Sequence, residues 1–360
     1  MLTMSGYLNY NIGMDITLRQ QQILISLLSA ASSLSDLLSK PTFSEVTERT
    51  LQRDLSLLES RGFIERQGKA RAVTYNITSN GRLNIFLSNE ALEKIFADEN
   101  RPKVLYDFSR LDALRLNSLF TDPEHLELVK NNDIYYQKLV TAPKDIIKRE
   151  RERITIELSW KSSQIEGNTY TLLETESLLK QNIPAKGKTE EETIMLLNHK
   201  KALEFSEQHK EFFKSKLTKS AIIDLHRILS EGIIDMGIRE RLVGITGSVY
   251  RPLDNKFQVE EELGRLCNVV NGKDDIFEKA LIAFTYICYL QPFNDGNKRT
   301  ARILANAILF ANDSFPLSLR AVDVNTYKLA ILAYYELGIL GNAKQIFLDQ
   351  AEFAAENYAI

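Results

Sequence analysis

The sequence predicts a mainly helical protein. Only 8 prolines and 16 glycines interrupt its 360 residues, and long runs with apolar residues three and four positions apart lie between them. The length suggests two or three domains, and the composition, with 44% hydrophobic and 26% charged residues, is typical of a globular chain. The net charge of -3 excludes a uniformly basic surface, so any contact with nucleic acid must be local.

No segment of the chain is expected to cross a membrane. The sequence has no run of about 18 apolar residues, and Met1 to Gly13 lacks a basic stretch followed by an apolar core. We therefore expect cytoplasmic localisation and no membrane partner. The two cysteines, Cys267 and Cys288, lie far apart and have no second Cys or His at metal-ligand spacing, so we expect buried free thiols.

Residues 15–80 predict a small domain that begins with three helices, after a loose lead-in over residues 1–14. An apolar stripe that starts at Thr17 indicates the first helix. A short second helix fits Leu34–Leu38, and a proline stops it. The third helix is expected to run from about Glu45 to Ser60.

Two β-like runs follow the third helix, over residues 63–66 and 72–77, and the turn formers of residues 67–70 predict a hairpin between them. Three helices followed by a hairpin resemble the winged helix-turn-helix of bacterial transcription regulators. That resemblance implies contacts of the third helix with the major groove and of the wing with phosphates. The DNA-binding residues that it implies are Arg49, Thr50, Gln52, Arg53, Lys69 and Arg71.

Dimerisation or protein docking is the alternative use of such a domain. Affinity for phosphates requires a local positive field, and acidic side chains dilute that field along the third helix: Glu45, Glu48, Asp54 and Glu59. Double-stranded DNA is therefore one candidate partner. A second protein, or a second copy of the chain in a homo-oligomer, is the other.

The remainder of the chain predicts a linker, a larger domain and a tail. Residues 81–140 have the pattern of lead-in helices that prolines interrupt, without a motif that indicates chemistry. Residues 141–350 predict a larger helical domain, and residues 351–360 a short C-terminal tail.

The motif with the clearest chemistry lies between two helices of the larger domain. The apolar run Leu281–Leu290 predicts a core helix, turn formers follow it, and a new helix begins near Asn297. The first turn of that helix offers unpaired N–H groups to an anion, and Arg299 and Arg302 lie on one side of it. In the loop, the carboxylate of Asp295 is suited to Mg²⁺ among phosphates.

The segment Gln291-Pro-Phe-Asn-Asp-Gly-Asn-Lys-Arg-Thr-Ala-Arg302 resembles the Fic family motif H-P-F-x-[D/E]-G-N-[G/K]-R-x-x-R at every fixed position except the first. The family transfers AMP from ATP to a hydroxyl side chain of a target protein, and its core is all-helical with a small β-hairpin flap. The resemblance therefore implies ATP with Mg²⁺ at this loop, and Asp295 as the metal ligand. The nucleotide-binding residues that it implies are Gly296, Asn297, Lys298, Arg299 and Arg302.

An upstream segment resembles the family's inhibitory helix. Ser162, Glu166 and Gly167 match the pattern [S/T]-x-x-x-E-[G/N] at the end of a helix expected near residues 150–167. In the family this glutamate pairs with the second arginine of the motif, which is Arg302 here. The resemblance implies that the pair occupies the γ-phosphate position and blocks productive binding of ATP.

Residues 243–252 have the pattern of a short β-hairpin, which resembles the family's flap. The flap aligns the target by strand-like main-chain hydrogen bonds. The flap residues are Gly247, Ser248, Val249 and Tyr250. On a later helix, Tyr327 resembles the tyrosine that stacks on adenine, and an ordinary core aromatic is the alternative.

Gln291 stands where the family has the histidine that accepts the proton of the target hydroxyl. A glutamine amide cannot accept that proton at neutral pH, and loss of a general base costs about 10²–10⁴ in rate. The sequence thus predicts a Fic-type adenylyltransferase scaffold that Glu166 inhibits and Gln291 weakens. The alternative is an ATP-sensing pseudoenzyme that regulates transcription by binding DNA.

Two further reactions are compatible with parts of the motif. Hydrolytic removal of AMP would use Glu166 to position water, although the family members that resemble this case retain the histidine. Phosphotransfer, as in the related death-on-curing branch, would be consistent with Lys298. Arg302 and the upstream inhibitory motif favour the Fic side.

Overall fold

The N-terminal unit consists of three helices and an antiparallel hairpin around a core of its own. A computed structural model describes residues 16–69, 72–233 and 237–358. The predicted lead-in over residues 1–14 and Arg71 lie outside the described residues. The elements of this unit are α1 (Leu18–Ser26), α2 (Leu34–Leu38), a 3₁₀ helix (Pro41–Phe43), α3 (Glu48–Ser60), β1 (Ile64–Gln67) and β2 (Thr74–Ile77).

Local caps set the boundaries of these helices. Thr17 begins α1 with a capping box, in which its side chain accepts from the Gln20 N–H. Helix α3 begins at Glu48, three residues later than the sequence predicts, because Thr47 is extended and its hydroxyl accepts from the Thr50 N–H. Strands β1 and β2 pair in antiparallel register from Ile64 opposite Ile77 to Gln67 opposite Thr74.

The rest of the described chain is almost entirely helical, as the sequence predicts. Its elements are α4 (Ser79–Leu83), α5 (Asn89–Phe96), β3 (Val104–Leu105), α6 (Ser109–Leu116), α7 (Asp122–Thr141), α8 (Lys144–Ile165), α9 (Leu172–Gln181), α10 (Glu190–Gln208), α11 (Glu211–Lys214), α12 (Lys219–Ser230), β4 (Tyr250–Arg251), α13 (Lys256–Gly272), α14 (Ile276–Leu290), α15 (Asn297–Ala311), α16 (Val324–Leu332), a π-helical turn (Ala333–Leu337) and α17 (Gly341–Asn357).

Helices α14 and α15 lie at the centre of this larger core. From Phe277 to Leu290, nearly every residue of α14 is buried, so the helix is apolar on all sides rather than amphipathic. Helices α10 and α12 pack beside α15, and α13 packs beside α14. The loop that joins α14 to α15 is therefore held between two rigid elements. None of the helices in the described ranges is long and apolar enough to span a membrane.

The hairpin predicted over residues 243–252 takes a different form. The segment makes a turn at Gly247, and β4 then pairs in parallel with β3, so that Val104 lies opposite Tyr250. The Val249 N–H and the Ser248 hydroxyl donate to the carboxylate of Glu336, at 3.1 and 2.7 Å. Because Ser248 and Val249 donate to Glu336, these donors do not pair with another strand of residues 243–252 in the described structure.

The predicted C-terminal tail is part of the core as far as the structure describes it. Helix α17 continues to Asn357, and Tyr358 is fully buried. The Tyr358 hydroxyl donates to Glu157 on α8 at 2.6 Å. With its ring buried and its hydroxyl hydrogen-bonded, Tyr358 belongs to the core and not to a tail.

The N-terminal unit packs against the end of the larger core. Leu329, Ala333 and Ile339 complete the apolar cluster that contains the buried residues of α1 and α3. At Gly341 the backbones approach so closely that a Cβ atom would lie 2.2 Å from the carbonyl oxygen of Ile85, so only glycine fits there. The N-terminal unit thus shares one apolar cluster with α16 and the π-helical turn, and the segment that follows the unit, at Ile85, contacts the start of α17.

Candidate functional site

The candidate site begins where α14 ends at Gln291. Gln291 adopts a left-handed conformation with φ of 51°, which is uncommon for a residue other than glycine and turns the chain into the loop. Its main-chain carbonyl accepts from the buried Arg239 guanidinium at 2.6 Å, and the Pro292 carbonyl accepts from the Arg239 N–H at 3.0 Å. These bonds fix the backbone of residue 291 from outside the loop.

The side chain of Gln291 is buried and fully hydrogen-bonded. Its Nε2 donates to the Cys288 carbonyl at 2.6 Å and to the Tyr335 hydroxyl at 3.2 Å. Its Oε1 accepts from Asn297 Nδ2 at 2.9 Å. Asn297 also closes the loop on itself, because its Oδ1 accepts from the Phe293 N–H at 2.9 Å. The predicted nucleotide-binding side chain of Asn297 therefore holds the loop in shape.

The N-terminus of α15 is built differently from those of the neighbouring helices. Asn255 caps α13 and Asp275 caps α14 with side-chain oxygens. Helix α15 starts after Gly296, whose φ of 77° suits glycine, and in the described chain no side chain caps it. Its first N–H groups and the positive end of its dipole remain available to an anion.

The carboxylate of Glu166 lies beside this helix end. Glu166 forms the C-cap of α8, and its Oε1 lies 2.7 Å from Arg302 Nη2. Its Oε2 lies 3.1 Å from Lys298 Nζ. The sequence analysis places the Arg302 pair here, and the contact with Lys298 is additional. Burial opposes ionisation of Glu166, but the two cations outweigh it and lower its pKa to about 2.

Arg302 is completely buried, and all three of its guanidinium nitrogens donate hydrogen bonds. Besides Glu166, it donates from Nε to the Ser162 hydroxyl at 2.8 Å and from Nη2 to the Ser162 carbonyl at 3.0 Å. Its Nη1 donates to the Tyr327 hydroxyl at 3.1 Å. Ser162 thus positions the arginine, whereas the sequence analysis groups it with Glu166 by its place on the inhibitory helix.

His199 continues this network and fixes its proton positions. Its Nε2 lies 2.8 Å from the Ser162 hydroxyl, and its Nδ1 lies 2.8 Å from the Met195 carbonyl. A carbonyl only accepts, so His199 Nδ1–H donates to Met195, and in a neutral ring Nε2 then accepts from the Ser162 hydroxyl. The histidine is neutral in this arrangement, in agreement with burial, which lowers its pKa to about 3.

Arg299 and Asp295 form the outer part of the loop. Arg299 Nη2 lies 3.2 Å from Asp295 Oδ2, and the Asp295 side chain is 70% exposed whereas that of Arg299 is 3% exposed. Arg299 Nη1 is buried and has no hydrogen-bond partner among the described residues. A buried donor without a partner costs about 1–3 kcal/mol. That cost indicates a position that a ligand oxygen or water would satisfy.

A cavity of about 300 Å³ opens next to the Glu166 ion pairs. Lys298 and Glu166 line it, together with Ile245 and Thr246 of the segment before the turn. Tyr327 lines the cavity but is fully buried, with the Arg302 guanidinium 5.3 Å from its ring centroid. Its predicted stacking on adenine stays a prediction, and its observed contact is with Arg302.

Residues 216–309, which include the loop and both of its arginines, match the family model described as Fic/DOC family. This segment forms a Fic domain. The chain is 27% identical over 220 residues to the protein adenylyltransferase Fic of Nematostella vectensis, covering 56% of this chain and 48% of that protein. It is 27% identical over 205 residues to the protein adenylyltransferase fic-1 of Caenorhabditis elegans, covering 54% of this chain and 39% of that protein.

The chain therefore spans about half, or less, of the length of the curated relatives that it matches. Among solved structures, Fic-1 of Caenorhabditis elegans superposes with a TM-score of 0.56 at 21% identity, covering 75% of this chain and 80% of that one. A Fic domain containing signaling protein of Bacteroides thetaiotaomicron gives a TM-score of 0.53 at 21% identity, covering 64% and 92%. These likenesses show that the chain has the Fic fold.

The Fic domain brings together most of the residues that the sequence analysis assigns to the nucleotide site. Gly296, Lys298, Arg299 and Arg302 lie at the start of α15, and Gly167 follows Glu166 at the end of α8 with φ of 98°. The flap residues do not contact these side chains directly. They follow Ile245 and Thr246, which line the cavity, and are tied to the π-helical turn through Glu336.

The predicted DNA-contacting residues that the structure describes belong to the N-terminal unit. Arg49, Gln52, Arg53 and Lys69 are exposed, and Thr50 is partly buried because its hydroxyl lies 2.8 Å from that of Thr47. Gln52 donates to Glu48 at 3.2 Å. The exposed face of α3 is thus polar and accessible, and its binding to DNA stays a prediction.

Several residues at the site are not identified by the sequence analysis. They are His199, His226, Arg239, Tyr335 and Glu336, all of which are buried. His226 donates from Nε2 to the Asp295 carbonyl at 3.0 Å and stacks on Phe293 at a centroid distance of 3.6 Å. Each sits in an ordinary helical or loop pattern, so only a motif that includes residues distant in sequence would have identified it.

The Fic domain's loop offers one carboxylate to a metal ion. Within the described ranges, no three His, Cys, Asp or Glu side chains come together as a ligand set. Mg²⁺ commonly keeps several waters and uses one or two carboxylates together with phosphates of a substrate. The exposed Asp295 fits that mode of binding, and it does not fit a metal that is held by protein ligands alone.

Proposed function

We propose that this chain is a Fic-type protein adenylyltransferase scaffold that binds ATP with Mg²⁺ and is inhibited by its own Glu166. One observation carries the proposal: a single carboxylate contacts both Arg302 and Lys298 beside the uncapped end of α15. An anionic group held by two cations at a helix N-terminus occupies the place that suits a phosphate. The names of the relatives, which are protein adenylyltransferases, support the reaction class.

The adjoining cavity supports a nucleotide rather than a free phosphate as the ligand. Its volume of about 300 Å³ lies at the lower end of the range of small-molecule pockets. Ile331 and Leu332 give it an apolar side, and Lys298 gives it a cationic end. An aromatic base would pack against the apolar side, while the phosphates reach the start of α15 and Arg299 Nη1.

Asp295 would hold Mg²⁺ between the loop and the phosphates. Its carboxylate is 70% exposed and pairs with Arg299, so an ion could bind at its open side. The bound ion would neutralise charge on the phosphates. The backbone N–H groups at the start of α15 would orient the same phosphates from the opposite side.

The transfer step needs a proton acceptor that residue 291 does not supply. The target hydroxyl oxygen would form a bond to the α-phosphorus, the bond from that phosphorus to pyrophosphate would break, and the hydroxyl proton would leave. Gln291 cannot take the proton, and both ends of its amide are already bonded. We therefore propose a nucleotide site that is intact and a transfer activity that is weak.

The test measures nucleotide binding and label transfer with the full chain and with Glu166→Gly and Glu166→Gln variants. Calorimetry with MgATP should show at least about tenfold tighter binding by Glu166→Gly. In that variant ATP no longer has to displace a carboxylate from Arg302 and Lys298, and a hydrogen bond to a charged group is worth about 1.5–3 kcal/mol. Label from α-labelled ATP, but not from γ-labelled ATP, should appear on protein. Transfer of the γ-label would indicate phosphotransfer, and absence of ATP binding by every variant would contradict the proposal.

A second candidate function is an ATP sensor that regulates DNA binding, and two observations favour it. The amide of Gln291 is satisfied without any substrate. In addition, α5 contacts α16, the helix that carries Tyr327, through Asn89 to Thr326 and Asn325 to Glu93, both at 2.7 Å. Nucleotide in the cavity would therefore lie one helix away from α5, which packs in the same apolar cluster as α1 and α3.

DNA binding by the full chain tests this candidate. Affinity for duplex DNA should fall as salt rises from about 50 to 200 mM, and an Arg49→Ala/Arg53→Ala variant should show a shallower salt slope. MgATP should change the affinity of Glu166→Gly for DNA. Binding without salt dependence, or a double variant that equals the unchanged chain, would leave the N-terminal unit as a protein-docking module.

A further inference from the structure

The π-helical turn Ala333–Leu337 contacts two parts of the site that are separate in sequence. Its Tyr335 hydroxyl accepts from Gln291 Nε2 at 3.2 Å. The next residue, Glu336, accepts through Oε1 from the Ser248 hydroxyl at 2.7 Å and the Val249 N–H at 3.1 Å. Single π-helical turns within helices are rare and frequently occur at functional sites.

Arginines from the segment between the N-terminal unit and the Fic domain hold the other side of this turn. Arg110 donates to the carbonyls of Tyr334 and, at 3.1 Å, of Tyr335. Arg82 donates to the Leu337 carbonyl at 2.7 Å. These carbonyls lie at a helix end, where main-chain oxygens lack partners within the helix, so the guanidinium groups replace the missing donors.

Arg101 links the turn directly to the flap segment. Its Nε lies 2.9 Å from Glu336 Oε2, and its Nη2 donates to the Gly247 carbonyl at 3.2 Å. Glu336 therefore contacts the flap segment through Oε1 and Arg101 through Oε2. Both side chains are largely buried, so the pair is weakly screened by solvent.

We propose that Tyr335 and Glu336 are positioning residues for the target side of the site. Tyr335 fixes the side chain at position 291, and Glu336 fixes the main chain of residues 247–249, along which a target segment would lie. Arg82, Arg101 and Arg110, from the segment between the N-terminal unit and the Fic domain, hold both in place. This inference rests on the proposed function, since a target segment is needed only for transfer to a protein.

The ion pairs on the nucleotide side of the site do not involve this turn. Glu166 is bonded to Arg302 and Lys298, and Arg302 is bonded to Ser162 and Tyr327. Of the two turn residues, Tyr335 also lines the cavity proposed for the nucleotide, whereas Glu336 is not among the described residues that line it. A change at Glu336 should therefore alter the flap while the affinity for ATP stays nearly constant.

Amide hydrogen exchange tests the role of Glu336 in the full chain with Glu166→Gly. Glu336→Ala removes the acceptor of the Val249 N–H, so exchange in residues 243–252 should become about tenfold faster. Glu336→Gln keeps an acceptor oxygen and should restore most of the protection. Exposed Glu352 on α17 provides the control Glu352→Gln, which should leave exchange unchanged.

The Gln291 side-chain amide tests the role of Tyr335 by NMR. With ¹⁵N-glutamine labelling, the cross-peak that disappears in Gln291→Ala should shift in Tyr335→Phe and stay in place in Glu352→Gln. The affinity of Glu336→Ala for MgATP should stay within about twofold of its parent. An unchanged cross-peak in Tyr335→Phe, unchanged flap exchange in Glu336→Ala, or an ATP affinity that falls in Glu336→Ala would overturn the inference.

The two proposals fail in different ways. If no variant binds ATP, the proposed function fails, whereas the exchange and NMR results still report whether the turn positions the flap and residue 291. If ATP binds with the expected response to Glu166→Gly and neither the flap nor the amide responds to the turn variants, the positioning role alone is contradicted.

Discussion

The two halves of the Fic loop differ in how completely their polar groups are satisfied. On the phosphate side, α15 begins without a side-chain cap, and Arg299 Nη1 is buried without a partner in the described chain. On the target side, both ends of the Gln291 amide are bonded, and Arg239 holds its carbonyl. Because buried unpaired donors are costly, the phosphate side is organised to receive a ligand, whereas the side chain at residue 291 is complete without one.

Replacing Gln291 by His would remove this difference and should have the largest effect. In the Glu166→Gly background, Gln291→His should raise the rate of AMP transfer by about 10²–10⁴, because it supplies a general base with a pKa near neutrality. The rate of labelling from α-labelled ATP measures the effect. Affinity for MgATP should change little, since the phosphate contacts come from other residues.

The pH dependence provides the control for that variant. A histidine base should give a transfer rate that rises with pH through the neutral range, whereas Gln291→Ala should give neither the gain nor the dependence. If Gln291→His and Gln291→Ala transfer AMP at the same rate, residue 291 does not limit the reaction, and the comparison between the two halves loses its functional meaning.

Removal of Arg302 should have the largest effect on stability. Arg302→Ala leaves the buried groups of Ser162, Tyr327 and Glu166 without their shared partner. Breaking a buried ion pair from one side costs about 3–5 kcal/mol in the free energy of unfolding. Denaturant unfolding of the full chain measures this loss.

Replacing both members of the pair by apolar residues separates the cost of an unpaired buried charge from the contribution of the pair itself. Glu166→Leu/Arg302→Met should recover much of the stability lost in Arg302→Ala, since apolar residues of similar volume can replace a buried pair. Arg149→Ala, at an exposed position on α8, should stay within about 0.5 kcal/mol of the unchanged chain. A loss below about 1 kcal/mol in Arg302→Ala would show that the network adds little to the fold.

Glu166 should make stability depend on pH in the acidic range. Its pKa is lowered from 4.5 to about 2 in the folded chain, because Arg302 and Lys298 outweigh the effect of burial. The stabilisation is therefore complete above the unfolded pKa and is lost as pH falls from about 4.5 towards 2. At neutral pH it corresponds to about 3 kcal/mol.

The difference between the full chain and Glu166→Gln isolates this contribution from those of other carboxylates. The difference in unfolding free energy should be constant between about pH 5 and 7 and should shrink at lower pH. A difference that stays constant down to pH 3 would mean that Arg302 and Lys298 do not lower the pKa of Glu166.

The sequence was sufficient for the parts of the site that are local along the chain. The loop between α14 and α15, Gly296 at the turn, and both motif arginines follow from residues that are close together, because turn formers and helix starts depend on neighbouring residues. The three helices and the hairpin of the N-terminal unit follow for the same reason. The pairing of Glu166 with Arg302 was predicted by resemblance to the Fic family.

Contacts between distant segments could not be predicted in this way. The Lys298 contact to Glu166 spans 132 positions, and it depends on the lateral placement of α8 beside α15. The alternating pattern of residues 243–252 indicated a strand but not its partner, and Val104 rather than a neighbouring residue supplies the pairing. The π-helical turn has no sequence signature, so Tyr335 and Glu336 were not identified.

The smallest expected effect concerns Lys298, which lies on the proposed phosphate side and contacts the Glu166 carboxylate. Its side chain is 34% exposed, so Lys298→Ala should lower the stability of the ligand-free chain by less than about 1 kcal/mol. Its effect on ATP affinity should depend on the background. With Glu166 present, the substitution removes a phosphate contact but also loosens the inhibitory carboxylate, and the two effects oppose each other.

In the Glu166→Gly background only the phosphate contact remains, so Lys298→Ala should weaken binding of MgATP by up to about tenfold. Calorimetry on the unchanged chain, the single variants and the double variant gives the coupling between the two positions. Lys216→Ala, at an exposed position between α11 and α12, is the control for loss of a positive charge. If Lys298→Ala has the same effect on ATP affinity in both backgrounds, Lys298 does not pass from the Glu166 carboxylate to a phosphate when ATP binds. Competition between Glu166 and ATP would then involve Arg302 alone.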